Sequence, residues 1–134
     1  MRVIITEWAL EAYLNLKHKR VFTVEDYKET IRPDVERLKA GMPFADPKFQ
    51  NSKFWSPAND KNGKTIPDAY KMKWHNLGNG KVQLRLLVVI HAGDAYLCQA
   101  YVKDKPQLDY REAAKLKIHM RKIYEGCFVT RGEI

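Results

Sequence analysis

The chain has 134 residues, 45% of them apolar and 30% charged, and carries a formal net charge of +8. Those proportions supply a core for one compact domain over residues 1–134 and exclude disorder, collagen-like repeats and disulfide-dense scaffolds. The longest apolar run, Leu84 to Ile90, is broken by Arg85 and falls far short of the ~20 residues of a membrane span.

The positive surplus is uneven. Residues 1–43 hold eight basic and seven acidic groups, residues 44–108 ten and five, and residues 109–134 six and four. A polyanion-binding surface produces such a distribution, and so does a generally soluble basic protein. Cys98 and Cys127 lack CxxC or CxxCH spacing and fit a reduced, cytoplasmic compartment. The apolar stretch within Met1–Glu7 is too short for a signal peptide.

In chain order, Arg2–Thr6 is rich in Val and Ile and predicts a strand. Thr6 then caps a helix from Glu7 to about Arg20, with Ala9, Leu10, Tyr13, Leu14 and Leu16 on its apolar side. Thr23 with Asp26 three residues on forms a capping-box pair for a second helix, interrupted at Pro33 and closed by Gly41. Residues 44–68 hold three of the six prolines and read as a long surface loop, with a short extended piece at Lys53–Trp55.

From residue 69 the period becomes two. Tyr70, Met72 and Trp74 alternate with Lys71, Lys73 and His75, and a turn over Asn76–Lys81 follows. Val82, Leu84, Leu86, Val88 and Ile90 then alternate with Gln83, Arg85, Leu87, Val89 and His91. A third strand sets Tyr96, Cys98, Ala100 and Val102 against Leu97, Gln99, Tyr101 and Lys103. Asp109 caps a last helix, Tyr110–Tyr124, with Leu116, Met120 and Ile123 as its buried stripe, and residues 127–134 form a tail. The expected fold is α+β, ordered β-α-α-β-β-β-α, with a small antiparallel sheet, mixed at its edge, and helices packed on one face.

Strand alternation then collects Lys71, Lys73, His75, Gln83, Arg85, His91, Gln99, Tyr101 and Lys103 on the opposite face, with no carboxylate among them. Like charges on neighbouring strands repel, so such a face points to a polyanionic ligand, against the alternative of a merely solvated surface. The four histidines lack ligand spacing and no phosphate-loop or nucleophile-elbow motif occurs, so neither a metal nor another cofactor is expected.

The segments Asp68-Ala69-Tyr70-Lys71-Met72-Lys73, Leu84-Arg85-Leu86-Leu87-Val88 and Tyr101-Val102-Lys103-Asp104-Lys105, in this element order, resemble the RelE/ParE toxin superfamily of bacterial toxin–antitoxin systems. The resemblance to the RelE-like branch implies a cytoplasmic toxin that cleaves mRNA on the ribosome without a metal and is held in check by a cognate antitoxin protein. It matches Lys71, Lys73, Arg85, Lys103 or Lys105, and Tyr110 to the mRNA site. The chain is longer than typical members, chiefly in residues 44–68 and the tail.

In that chemistry the 2′-hydroxyl of the RNA attacks the adjacent phosphorus, leaving a cyclic phosphate and a free 5′-hydroxyl. Arg85 and Lys73 would stabilise charge, Lys71 or Tyr110 would accept the 2′ proton, and Lys103 or Lys105 would supply the acid or a phosphate contact. His75 and His91 are alternates, since imidazole titrates nearer neutral pH, and plain backbone-phosphate contact is the alternative role for each lysine. Two other readings stand beside this one: a ParE-like gyrase inhibitor, and a non-catalytic RNA-binding module using Trp55, Trp74 and Tyr101 to stack bases.

Overall fold

The computed structural model describes residues 1–134, apart from the side chain of Asn79. The fold is α+β, built on a six-stranded mixed sheet. The first strand, β1 (Val3–Thr6), leads directly into α1 (Glu7–His18). Thr6 is fully buried, and its hydroxyl accepts from the Ala9 amide while donating to the Leu97 carbonyl, so one side chain caps the helix and ties it to the sheet.

The Thr23–Asp26 capping box forms as expected and opens α2 (Val24–Asp26). A π-helical turn, Tyr27–Ile31, leads into α3 (Arg32–Glu36), and a 3-10 turn over Arg37–Ala40 ends the segment. Pro33 has no N–H to bond into the preceding turn, which accounts for the irregular winding just before it.

Residues 44–68 are not a surface loop. They contain a 3-10 turn (Pro47–Gln50) and an edge strand, β2 (Trp55–Asn59), hairpinned to β3 (Thr65–Asn76). Phe44, Phe49, Phe54 and Trp55 are buried, with Phe44 stacked on Phe49 at 3.9 Å. Pro57 is tolerated because β2 is at the sheet edge, where one side of the strand needs no ladder partner.

A short helical turn, α4 (Leu77–Gly80), joins β3 to β4 (Val82–His91). β5 (Asp94–Val102) completes the meander and α5 (Pro106–Tyr124) follows. Residues 130–133 of the expected tail form β6 (Thr130–Glu133), so the strand order is β2-β3-β4-β5-β1-β6. The one parallel pairing, β1 with β5, lies inside the sheet and not at its edge.

The helices cover both faces, which corrects the expectation of a single covered face. On one face Met72, Trp74, Leu84, Leu86, Val88 and Leu97 pack with Ala9 and Leu16 of α1 and with Ile31, Val35 and Leu38; Leu14 is exposed instead. On the other, Ala69, Leu87, Val89 and Cys98 meet Ala113, Leu116, Met120 and Ile123 of α5. Leu87 and Val89, on the side read as polar, are what α5 buries. Among the described residues no helix is long and apolar enough to cross a membrane.

Candidate functional site

Antiparallel register puts Lys73 directly opposite Arg85, and Arg85 directly opposite Tyr101. These three side chains form one row across β3, β4 and β5, on the face that α5 covers. Lys71 stands two residues along β3 from Lys73 and therefore shares the face. Lys103 follows the end of β5, where its amide donates to the Gln83 carbonyl.

β5 carries an irregularity that decides which of its residues join the row. Leu87 pairs with Gln99 while Val88 pairs with Leu97, so Cys98 is the extra residue of a β-bulge. The bulge moves Tyr96 and Cys98 to the α5 face and Leu97 to the other, the reverse of simple alternation. Gln99, Tyr101 and Lys103 keep the side that alternation assigns them.

The face also contains carboxylates, contrary to expectation. α5 begins at Pro106, with Lys105 at the N-cap, so Asp109 is not a cap but stands in the first turn. It precedes Ala113 by four residues and Leu116 by seven, and this spacing turns it toward the sheet with the buried stripe. Tyr101 donates its hydroxyl proton to Asp109 at 2.5 Å, Lys103 Nζ lies 2.7 Å from the carboxylate, and Lys71 Nζ 3.6 Å. Glu112, one turn on, accepts from Gln99 Nε2 at 2.8 Å, and Gln99 Oε1 meets His119 Nδ1 at 2.8 Å. His119 is thus no free surface residue: its ring stacks on Trp8, 4.0 Å between centroids. Burial and the nearby Lys122 and Lys115 push its pKa down to about 4, so the ring is neutral at pH 7.

Arg85 is the exceptional residue. Its side chain donates to the carbonyls of Trp74 and Leu84 and to Gln83 Oε1, at 3.1–3.4 Å, while its Nε is buried with no partner. The residue is 4% exposed, and among the described residues no carboxylate lies within 4.0 Å of it. Burial lowers its pKa. Burial also lowers that of Lys71, against the pull of Asp109 and with help from Lys103 and Arg85. Lys73, which donates to the Ser52 carbonyl at 2.7 Å, is lowered by burial and by its cationic neighbours. For Asp109, burial works upward, but Lys103, Tyr101 and Lys71 outweigh it and hold the carboxyl below its ordinary value. Tyr101 is pushed well up by burial and by its bond to Asp109, so it keeps its proton.

Four fixed cations thus surround one carboxylate. The structure brings together Lys71, Lys73, Arg85, Tyr101 and Lys103, with Gln83 supporting the guanidinium. It separates the rest. Tyr110 points away, exposed, into a shallow depression with Asp60, Lys61 and Lys117. Lys105 is an exposed cap residue, and His75 is exposed with Nε2 2.7 Å from the Lys53 carbonyl. His91 stands six residues along β4 from Arg85, about 20 Å at strand spacing, beside Tyr124. Among the described residues no three His, Cys, Asp or Glu side chains form a metal-holding group.

Asp34 stands out only in three dimensions, through its contact with one of the two buried tryptophans. Trp55 and Trp74 are buried on the other face, where Trp74 Nε1 donates to Asp34 at 2.9 Å, so neither is placed to stack a base. Asp34 is itself buried and accepts from Arg37 and Lys48 as well. No family model, curated protein or solved structure matches the chain.

Proposed function

We propose that this chain is a RelE-like toxin of a toxin–antitoxin system, an endoribonuclease that uses the Lys71–Lys73–Arg85–Lys103 cluster to bind and cleave mRNA on the ribosome. The observation that carries this reading is the buried guanidinium of Arg85, which has no carboxylate within 4.0 Å among the described residues and whose Nε has no acceptor. Removing such a charge from water costs several kcal/mol, and this chain gives it backbone carbonyls and Gln83 but no contacting carboxylate, while setting Lys71, Lys73 and Lys103 nearby. A site that is costly to the fold and complementary to a phosphodiester is best explained by use.

The chemistry follows the charges. Arg85 and Lys73 hold the equatorial oxygens of the phosphorane, where developing negative charge gains most from fixed donors. Lys71, its pKa lowered by burial, takes the 2′ proton in those molecules in which its amine has already given up its own. Lys103 or Tyr101, both in contact with Asp109, returns a proton to the departing 5′ oxygen. Tyr110, the other base candidate in the sequence, stands outside the cluster and has no part in this scheme. A cognate antitoxin carrying acidic segments is the expected protein partner of so basic a surface.

Purified protein incubated with mRNA, with and without ribosomes, should generate fragments ending in cyclic phosphate and beginning with a 5′-hydroxyl. Intact mRNA in both arms would remove the nuclease reading. Growth arrest of a producing host with broken DNA and intact mRNA would move the target to gyrase.

A further inference from the structure

The cationic cluster already holds an anion, and it is the chain's own. Asp109 receives Tyr101, Lys103 and Lys71 in one small volume, and it does so from the first turn of a helix whose later turns are anchored by Leu116, Met120 and Ile123. That first turn is lightly held. It follows the short link 103–105, its starting residue makes no side-chain capping bond, and Leu108 is only partly buried.

Resting on the ribonuclease reading above, we infer that Asp109 is a built-in competitor for the phosphodiester. Its carboxylate occupies the anion position between Lys71 and Lys103, and RNA enters by displacing it together with the first turn of α5. The charge balance supports the exchange. With Asp109 in place, its carboxylate meets Lys103 at 2.7 Å and Lys71 at 3.6 Å but makes no contact with Arg85, whose Nε is left without an acceptor. A phosphodiester offers the same single charge with two free oxygens, enough to meet a lysine and Arg85 together. The displaced carboxylate finds water outside, and the Tyr101 hydroxyl becomes free to donate to the RNA.

The test uses a single-stranded RNA oligonucleotide with 2′-O-methyl groups, which binds without being cut. Asp109→Asn keeps the shape and removes the charge, and it should bind this RNA about tenfold more tightly at low salt, because a repelling charge leaves the site. Asp109→Glu keeps the charge and should show no such gain. In the wild-type chain, saturation with the oligonucleotide should speed amide exchange over residues 108–112, since Leu108 N–H bonds to the Lys105 carbonyl and residues 110–112 bond to the carbonyls of the first turn, which is expelled. A tenfold loss of affinity in Lys71→Gln/Lys103→Gln accompanied by no gain in Asp109→Asn would overturn the inference and leave the RNA reading standing, as would unchanged or slowed exchange over 108–112. Equal affinity of wild type and the double lysine variant would instead overturn the RNA reading itself.

Discussion

Arg85→Ala is expected to lower the rate of RNA cleavage by about 10²–10³ while changing RNA affinity far less. In the proposed mechanism a group that stabilises the pentacovalent phosphorus acts on the transition state, whereas a lysine on a phosphate would also hold the ground-state backbone. The fold should not suffer in proportion. Arg85→Met, close in length and uncharged, removes a buried cation with no contacting carboxylate, so relief of its desolvation offsets the lost hydrogen bonds to Trp74, Leu84 and Gln83. An Arg85→Met protein should therefore unfold at the same or a higher denaturant concentration and have lost cleavage. Lys53→Ala, an exposed change in the chain before β2, is the comparison and should leave the rate nearly unaltered. An Arg85→Met chain that unfolds much more readily than wild type would make the guanidinium a structural group.

The second large effect is structural. Asp34→Ala should cost about 3 kcal/mol of unfolding free energy, because it strands the buried Trp74 N–H and removes the acceptor shared by Arg37 and Lys48. Arg37 and Lys48 are partly in water and find new partners there, so Trp74 dominates the loss. Asp34→Asn retains an acceptor for the indole and should cost about 1 kcal/mol. Equilibrium urea unfolding followed by tryptophan emission reads both. This hub sits behind the site: Trp74 is on β3 between Lys73 and His75, and its carbonyl accepts from Arg85. Equal stability of wild type and Asp34→Ala would show that the three donors are solvated as readily without the carboxylate.

The strands of the meander were legible because alternation on β3 and β4 is uninterrupted, and that alone brings Lys71, Lys73 and Arg85 to one face. The caps at Thr6 and Thr23 were legible because a hydroxyl before a helical period has a local partner. What alternation could not reveal is the bulge at Cys98, which reverses the facing of Tyr96, Cys98 and Leu97 without any mark in composition. The second helical layer did leave a sign. Leu87 and Val89 are apolar on the side assigned to water, and two such residues need a cover. Asp109 was hidden for a related reason: reading it as a cap begins α5 too late, although Pro106 is a favoured first helical residue and restores the stripe 109–113–116. β2 escaped because prolines and turn residues mask a strand, and it forms through burial of Trp55 and Ala58 against neighbours distant in sequence. Tyr110 and Tyr101 exchange places for the same reason: helix phase and strand register, not proximity in sequence, decide which phenol faces the cations.

The salt dependence of RNA binding tests the cluster most directly. Each lysine that neutralises a phosphate of a single strand contributes about 0.7 to the slope of log affinity against log salt. Lys71→Gln/Lys103→Gln should therefore reduce that slope by about 1.4, whereas Lys28→Ala, exposed on the helical segment across the sheet, should leave it unchanged. A double variant with the wild-type slope, or one matched by Lys28→Ala, would place RNA elsewhere on the protein and contradict the site described here.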